Sequence, residues 1–259
     1  MPILKSGEAR IHYVLEGQSE SPVLLFSNSL GANYSTWDPQ AHEFRKKLRV
    51  LRYDTRGHGQ SPPTPGTYSI ELLGRDVIAM LDALDLDRIH FCGLSMGGMI
   101  GMWLALNAPE RLDKLILSNT AAKIGTAEGW NARIEAVQKN GMKSVASGIL
   151  ERWFTQVFRQ KAPETMANIL KMLEETNPEG YVACCAAVRD FDCREQLNKI
   201  RTPTLVIAGA HDPATPPEGG RFLAQQIPGA RFVELDAAHL SNIEAQDQFN
   251  NELTAFLNP

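Results

Sequence analysis

The sequence has 259 residues, 43% of them hydrophobic and 22% charged, with a formal net charge of −4. That is enough chain for one sizeable core, and the composition is ordinary for a globular protein. Both signs of charge are scattered along it, which excludes a basic stripe for nucleic acid and a polybasic patch for membranes.

Alternating apolar residues over 9–15 predict an early strand. A short apolar run at 23–26 predicts a second, followed by the turn-like Ser27-Asn28-Ser29-Leu30-Gly31. A third, at 50–53, ends in Asp54-Thr55-Arg56-Gly57-His58-Gly59. Ile70, Leu73, Val77, Met80, Leu81 and Leu84 are spaced to share one face of a helix over 69–84. A strand at 88–92 then leads into 96–107, apolar almost all round and so expected as a buried helix. Another strand follows at 114–117. From about 121 to 189 the pattern is helical throughout. Strands return at 204–208 and 231–235, with a helix over 218–226 between them and a last helix over 242–257.

Strands alternating with helices require crossovers, hence a mostly parallel central sheet flanked by helices. The economical partition is one α/β core, residues 1–120 and 190–259, with a helical insertion at 121–189 between core strands. A span of that length is too long for a loop and is expected to cap one end of the sheet. Cys92, Cys184, Cys185 and Cys193 fit no common disulfide framework or zinc spacing, which suggests a reducing compartment. The N-terminal stretch lacks the apolar core of a signal peptide, and no apolar run approaches the roughly 18 residues of a membrane helix. The expectation is a soluble cytoplasmic protein.

The sharpest motif is Gly93-Leu94-Ser95-Met96-Gly97, a G-x-S-x-G between a predicted strand and a predicted helix. A strand that reverses sharply into a helix puts the serine at the apex in a strained conformation. Bulk at Gly93 or Gly97 would strike neighbouring backbone. The hydroxyl then sits at a helix N-terminus, where dipole and free N–H groups favour developing negative charge. The alternative is a Gly-Ser turn whose serine only caps the helix.

A serine hydroxyl needs a base to take its proton and later return it to the leaving group. In α/β-hydrolases the chain order is serine, acid, histidine. Only His211 and His239 follow Ser95, and His239 lies just after the final predicted strand, at the same sheet edge as Ser95. The acid is expected after strand 204–208, where Gly209-Ala210-His211-Asp212-Pro213 offers Asp212. Asp190, Asp192 and Asp236 compete for that role, and Asp212 also fits a plain Asp-Pro turn. Acyl transfer needs donors for the oxyanion. The backbone N–H of Met96 is one, and that of Leu30 is the second candidate, although many relatives carry His-Gly where this chain has Asn28-Ser29. Asp54-x-Arg56-Gly57-x-Gly59-x-Ser61 reads as a structural corner, since it lacks the Gly-Lys-Ser/Thr ending of a phosphate loop.

Several stretches together are more specific than the fold motifs: Ser27 to Gly31 with Trp37-Asp38-Pro39-Gln40, Leu94 to Gly101, Asn119-Thr120-Ala121-Ala122-Lys123-Ile124-Gly125, and Asp212-Pro213-Ala214-Thr215-Pro216-Pro217. Across essentially its whole length the chain resembles the 3-oxoadipate enol-lactonases, members of the α/β-hydrolases. The resemblance implies an α/β-hydrolase fold and hydrolysis of a small-molecule enol-lactone bearing a carboxylate arm, giving 3-oxoadipate in aromatic catabolism. It implies no metal and no organic cofactor. Some members carry a fused decarboxylase domain, and no such activity is expected here. The substrate carboxylate calls for a cation from the insertion. Arg133 and Trp130, three apart on one predicted helical face, are the first candidates, with Trp153, Arg152 and Arg189 as rivals. Each could equally be a solvated arginine or a packed tryptophan. Other enzymes on the same scaffold remain open: a carboxylesterase, a carbon–carbon bond hydrolase or a cofactor-free perhydrolase. So do a hydrolase-fold receptor for a small ligand and assembly as a homo-oligomer.

Overall fold

The computed structural model describes residues 2–258. Among them one eight-stranded sheet organises the chain: β1 (Ile3–Ser6), β2 (Ala9–Glu16), β3 (Val23–Ser27), β4 (Arg49–Tyr53), β5 (Ile89–Leu94), β6 (Leu112–Ser118), β7 (Thr204–Gly209) and β8 (Arg231–Leu235). Their spatial order is β1-β2-β4-β3-β5-β6-β7-β8. The first two pairings, β1 with β2 and β2 with β4, are antiparallel, and all later ones are parallel. The central strands β3 and β7 are buried along their whole length, which is why they read as unbroken apolar runs. The edge strand β1 was not visible as a pattern: only four residues long, it leaves Ile3 exposed.

The helices are α1 (Asp38–Phe44), α2 (Ile70–Ala83), α3 (Met96–Asn107), α4 (Ala127–Asn140), α5 (Lys143–Trp153), α6 (Gln156–Lys161), α7 (Pro163–Glu175), α8 (Pro178–Asp190), α9 (Pro217–Gln226), α10 (Ser241–Glu244) and α11 (Gln246–Leu257). Helix α2 buries Ile70, Leu73, Val77, Met80 and Leu81, the expected face, and is capped by Ser69 Oγ accepting from Leu72 N–H at 3.1 Å. Helix α3 is buried nearly all round against β5 and β6. Helices α4 to α8 lie between β6 and β7, followed by a 3-10 turn over Arg194–Lys199; α4 packs on α8 and α5 on α7. Among the described residues no helix is long and apolar enough to cross a membrane.

One expected element is corrected. The final helix is not continuous over 242–257 but breaks at Ala245 (φ −116°, ψ 45°) into α10 and α11. The Glu244 carboxylate accepts from Ala238 N–H at 2.9 Å and from the backbone and hydroxyl of Thr155. Those bonds hold the short α10 against the end of α5, and the chain restarts in a new direction. The corner after β4 is a dense polar knot. Asp54 accepts from Tyr34 N–H and Gln60 N–H and pairs with His12 Nδ1 at 2.9 Å, while Arg56 holds Asp76 with two bonds at 2.8 and 2.6 Å. A Cβ on Gly59 would lie 2.4 Å from the Asp54 carboxyl carbon.

Candidate active site

Parallel pairing of β3, β5, β6, β7 and β8 brings their C-terminal ends to one edge, the usual ligand edge of such sheets. Ser95 stands where β5 turns into α3, at φ 58° and ψ −114°, a left-handed conformation that a side chain rarely adopts. The turn is clamped on all sides. Ser95 N–H donates to Ser118 O at 2.9 Å, Gly97 N–H donates to Asn28 O at 3.0 Å, and Thr120 Oγ1 donates to Ser95 O at 2.7 Å. A Cβ on Gly93 would lie 2.2 Å from Gly97 O, and one on Gly97 would lie 2.3 Å from Ser27 O. Both glycines are required by close backbone approach.

His239 follows β8 and Asp212 follows β7. Nδ1 of His239 lies 2.8 Å from Asp212 Oδ2, and both side chains are buried. The same carboxylate accepts from Thr215 Oγ1 at 2.6 Å, Asn119 Nδ2 at 3.0 Å, and the N–H groups of Ala214 and Thr215 at 2.8 and 3.0 Å. Burial pushes this carboxyl up, but the charge and hydrogen bond of His239 and the bonds from Thr215 outweigh it and hold it below the usual range. It is a fixed anion at neutral pH. The other nitrogen of His239, Nε2, lies 3.4 Å from Ser29 Oγ and faces the cavity that Ser95 also lines. Among the described residues no hydrogen bond joins the His239 ring to the Ser95 hydroxyl; what the two share is the lining of one cavity.

The rival residues lie elsewhere. His211 Nε2 pairs with Asp236 at 2.8 Å on the surface, Asp190 pairs with Arg189, and Asp192 pairs with Arg194 and Lys123. The backbone N–H groups of Met96 and Leu30 engage no protein acceptor among the described residues, while their neighbours Gly97 and Gly31 do.

A cavity of about 240 Å³ opens over Ser95 and His239. Trp130, Arg133, Arg152, Trp153 and Tyr181 from α4, α5 and α8 line it. The Arg133 guanidinium lies 4.8 Å from the Trp130 ring centre. Trp130 Nε1 donates to Ile124 O at 2.7 Å, so its N–H is already spent and the ring serves as a platform for Arg133. Trp153 packs its ring beside His239, with centroids 6.4 Å apart and planes 29° from parallel. Burial and the nearby charge of Arg133 both lower the Arg152 guanidinium from its ordinary value. Among the described residues neither arginine forms an ion pair with a carboxylate. Arg189, in contrast, is held by Asp190 and Asn131 and lines a different surface.

Residues 22–246 match the family described as alpha/beta hydrolase fold. The chain belongs to the α/β hydrolase fold family. It is 43% identical to 3-oxoadipate enol-lactonase 2 of Acinetobacter baylyi over 98% of its own length and 95% of the other's. It is 40% identical to 3-oxoadipate enol-lactonase 1 of the same organism over 94% of its own length and 91% of the other's. Among solved structures, the enol-lactonase from Burkholderia xenovorans LB400 superposes with a TM-score of 0.98 at 43% identity, with both chains fully covered.

In this α/β hydrolase, sequence reasoning missed four residues that touch the site. Asn119 (φ 45°) lies inside the family-specific stretch but carries no chemical signature of its own, and only the fold brings it to Asp212. Thr215 and Ser29 are common turn residues whose hydroxyls happen to face His239. Tyr181 sits on α8 among apolar neighbours, and its spacing marks core rather than cavity.

Proposed function

We propose that this protein is a serine hydrolase that opens an enol-lactone carrying a carboxylate arm, with 3-oxoadipate as product. The enol-lactonase relatives, aligned over nearly the whole length at 40–43% identity, support the substrate class. The observation that carries the chemistry is Asp212 bonded to His239 Nδ1 at 2.8 Å beside the strained Ser95.

Ser95 Oγ attacks the lactone carbonyl while His239 Nε2 takes its proton. Asp212 keeps the Nδ1–H tautomer in place and stabilises the imidazolium. The oxyanion is received by the N–H groups of Met96 and Leu30, each such donor being worth about 2.7–4 kcal/mol in the transition state. The ring C–O bond then breaks. The enolate oxygen leaves with the proton from His239, and its conversion to a ketone disfavours reclosure. Water attacks the acyl-enzyme, gives its proton to His239, and the acid departs as Ser95 recovers its proton. The substrate carboxylate is held by Arg133, stacked on Trp130, with Arg152 beside it as a second cation. Trp153 backs the base. Residues 121–189 act as the cap of a core formed by 1–120 and 190–259. The setting is cytoplasmic, in keeping with four buried free cysteines.

The test is steady-state hydrolysis of the enol-lactone by wild type and Ser95→Ala, following lactone loss and 3-oxoadipate formation. Efficient wild-type turnover and a fall of several orders of magnitude in the variant are expected. Hydrolysis of simple esters with no action on this lactone would leave the triad and overturn the substrate.

A further inference from the structure

The loop that carries the Leu30 N–H is a tight turn. Ala32 N–H donates to Ser29 O at 3.0 Å, and Gly31 has φ 88°, as a type II turn requires at its third residue. Ser29 O and Leu30 N–H belong to one trans peptide. The Ala32 bond therefore points the carbonyl into the turn and the Leu30 N–H away from it. The next peptide joins Leu30 O to Gly31 N–H, and its orientation is what separates type I from type II turns. That peptide is gripped by a side chain from the corner after β4: Gly31 N–H donates to His58 Nε2 at 2.9 Å. The peptide after it, Gly31 to Ala32, is held as well: Thr176 Oγ1, just after α7, donates to Gly31 O at 3.1 Å.

We propose that His58 is a positioning residue for the oxyanion hole, its neutral Nε2 anchoring, one residue along, the turn that carries the Leu30 N–H. This rests on the reading of Ser95 as nucleophile and Leu30 as donor. The imidazole must carry its hydrogen on Nδ1, where Arg56 O stands 3.4 Å away. Protonation would set N–H against N–H at Nε2. Burial prevents that by pushing the imidazole down to about 4. The groups around it suit a neutral ring. Tyr181 packs at 6.4 Å between centroids, the Cys184 thiol is raised well above its usual value by burial, and Arg56 is neutralised by Asp76. The corner also packs closely on α8, where a Cβ on Gly57 would lie 2.5 Å from Gly180 Cα. His58 touches no reacting atom and acts only through the turn.

The experiment compares wild type, His58→Leu, His58→Gln and Ser95→Ala on the enol-lactone. It also compares their affinity for adipate, a ground-state mimic, and for an alkyl trifluoromethyl ketone, whose adduct with Ser95 bears an oxyanion. His58→Leu is expected to lose about tenfold to hundredfold in kcat and a similar factor in ketone affinity, with KM and adipate affinity unchanged. His58→Gln, whose amide oxygen reaches the same place, should return to within about threefold. A folded His58→Leu with wild-type kcat and ketone affinity overturns the role. So does an equal loss of ketone and adipate affinity that glutamine does not rescue. If His58→Leu does not fold, nitrogen NMR of the wild-type imidazole at pH 7 decides. An Nδ1–H tautomer with Nε2 coupled to Gly31 N–H supports the role, and an Nε2–H tautomer or a cation overturns it. Wild-type turnover by Ser95→Ala would instead bring down the reading of the site itself.

Discussion

Asn119 Nδ2 donates to Asp212 Oδ2 at 3.0 Å, the same oxygen that meets His239 Nδ1 at 2.8 Å. Asn119 is itself fixed, donating also to Ala238 O at 3.1 Å and accepting from Ser241 Oγ at 2.6 Å. The asparagine therefore ties the loop after β6 to those after β7 and β8. Asn119→Ala removes a hydrogen bond to a charged group, worth about 1.5–3 kcal/mol. The expected result is a fall in kcat of about tenfold to hundredfold with KM little changed, measured on the enol-lactone. An unchanged kcat would show that Asp212 needs no help from this side.

The backbone at Ser95 should store strain that a glycine releases. With φ at 58°, Ser95→Gly is expected to be more stable than Ser95→Ala by about 1 kcal/mol, although both are inactive. Gly97→Ala should go the other way. Its Cβ would meet Ser27 O at 2.3 Å, and overpacking of this kind typically costs about 1–3 kcal/mol. Urea or thermal unfolding of the three variants checks both.

Among the described residues Arg133 and Arg152 face one cavity without carboxylate partners, an arrangement that an anionic ligand relieves. Arg133→Ala is expected to raise KM for the carboxylate-bearing lactone about tenfold to hundredfold, from the loss of a charge-assisted bond. For a neutral ester of similar size KM should stay within about twofold. Equal effects on both substrates would mean that the arginine only shapes the cap.

Stability should depend on His58 in acid. Its imidazole is pushed down to about 4 in the folded chain, against about 6.5 when unfolded. Between those values the unfolded chain binds the proton first, so stability rises with pH there. The contribution is complete above about 6.5 and lost as pH falls toward 4, in all about 3 kcal/mol. Wild type should therefore lose stability faster than His58→Gln over that window. Parallel curves of melting temperature against pH would contradict this. Asp212 adds loss in the same direction at lower pH, because its depressed carboxyl must be protonated.

The sequence by itself determined most of the elements and the chain order of the candidate residues. Unbroken apolar runs marked the strands at 23–26 and 204–208, and period-3.6 apolar spacing marked the buried face of α2. Short-range packing sets those patterns, whatever the rest of the chain does. The elbow at Ser95 was legible because G-x-S-x-G is a short motif set between a strand and a helix, with Gly93 demanded by Gly97 O four residues on, and the positions of Asp212 and His239 followed from strand order. What only the tertiary structure decided were relations between residues far apart in sequence. Asn119 reaches Asp212 across 93 positions, and Glu244 breaks the last helix by reaching Thr155 across 89. Likewise Arg189 is taken by Asn131 while Arg133 and Arg152 are left to the cavity. These outcomes depend on where eight strands and the cap bring side chains together. Local spacing cannot encode that, because a hydrogen bond is fixed by distance and angle in space and not by separation along the chain.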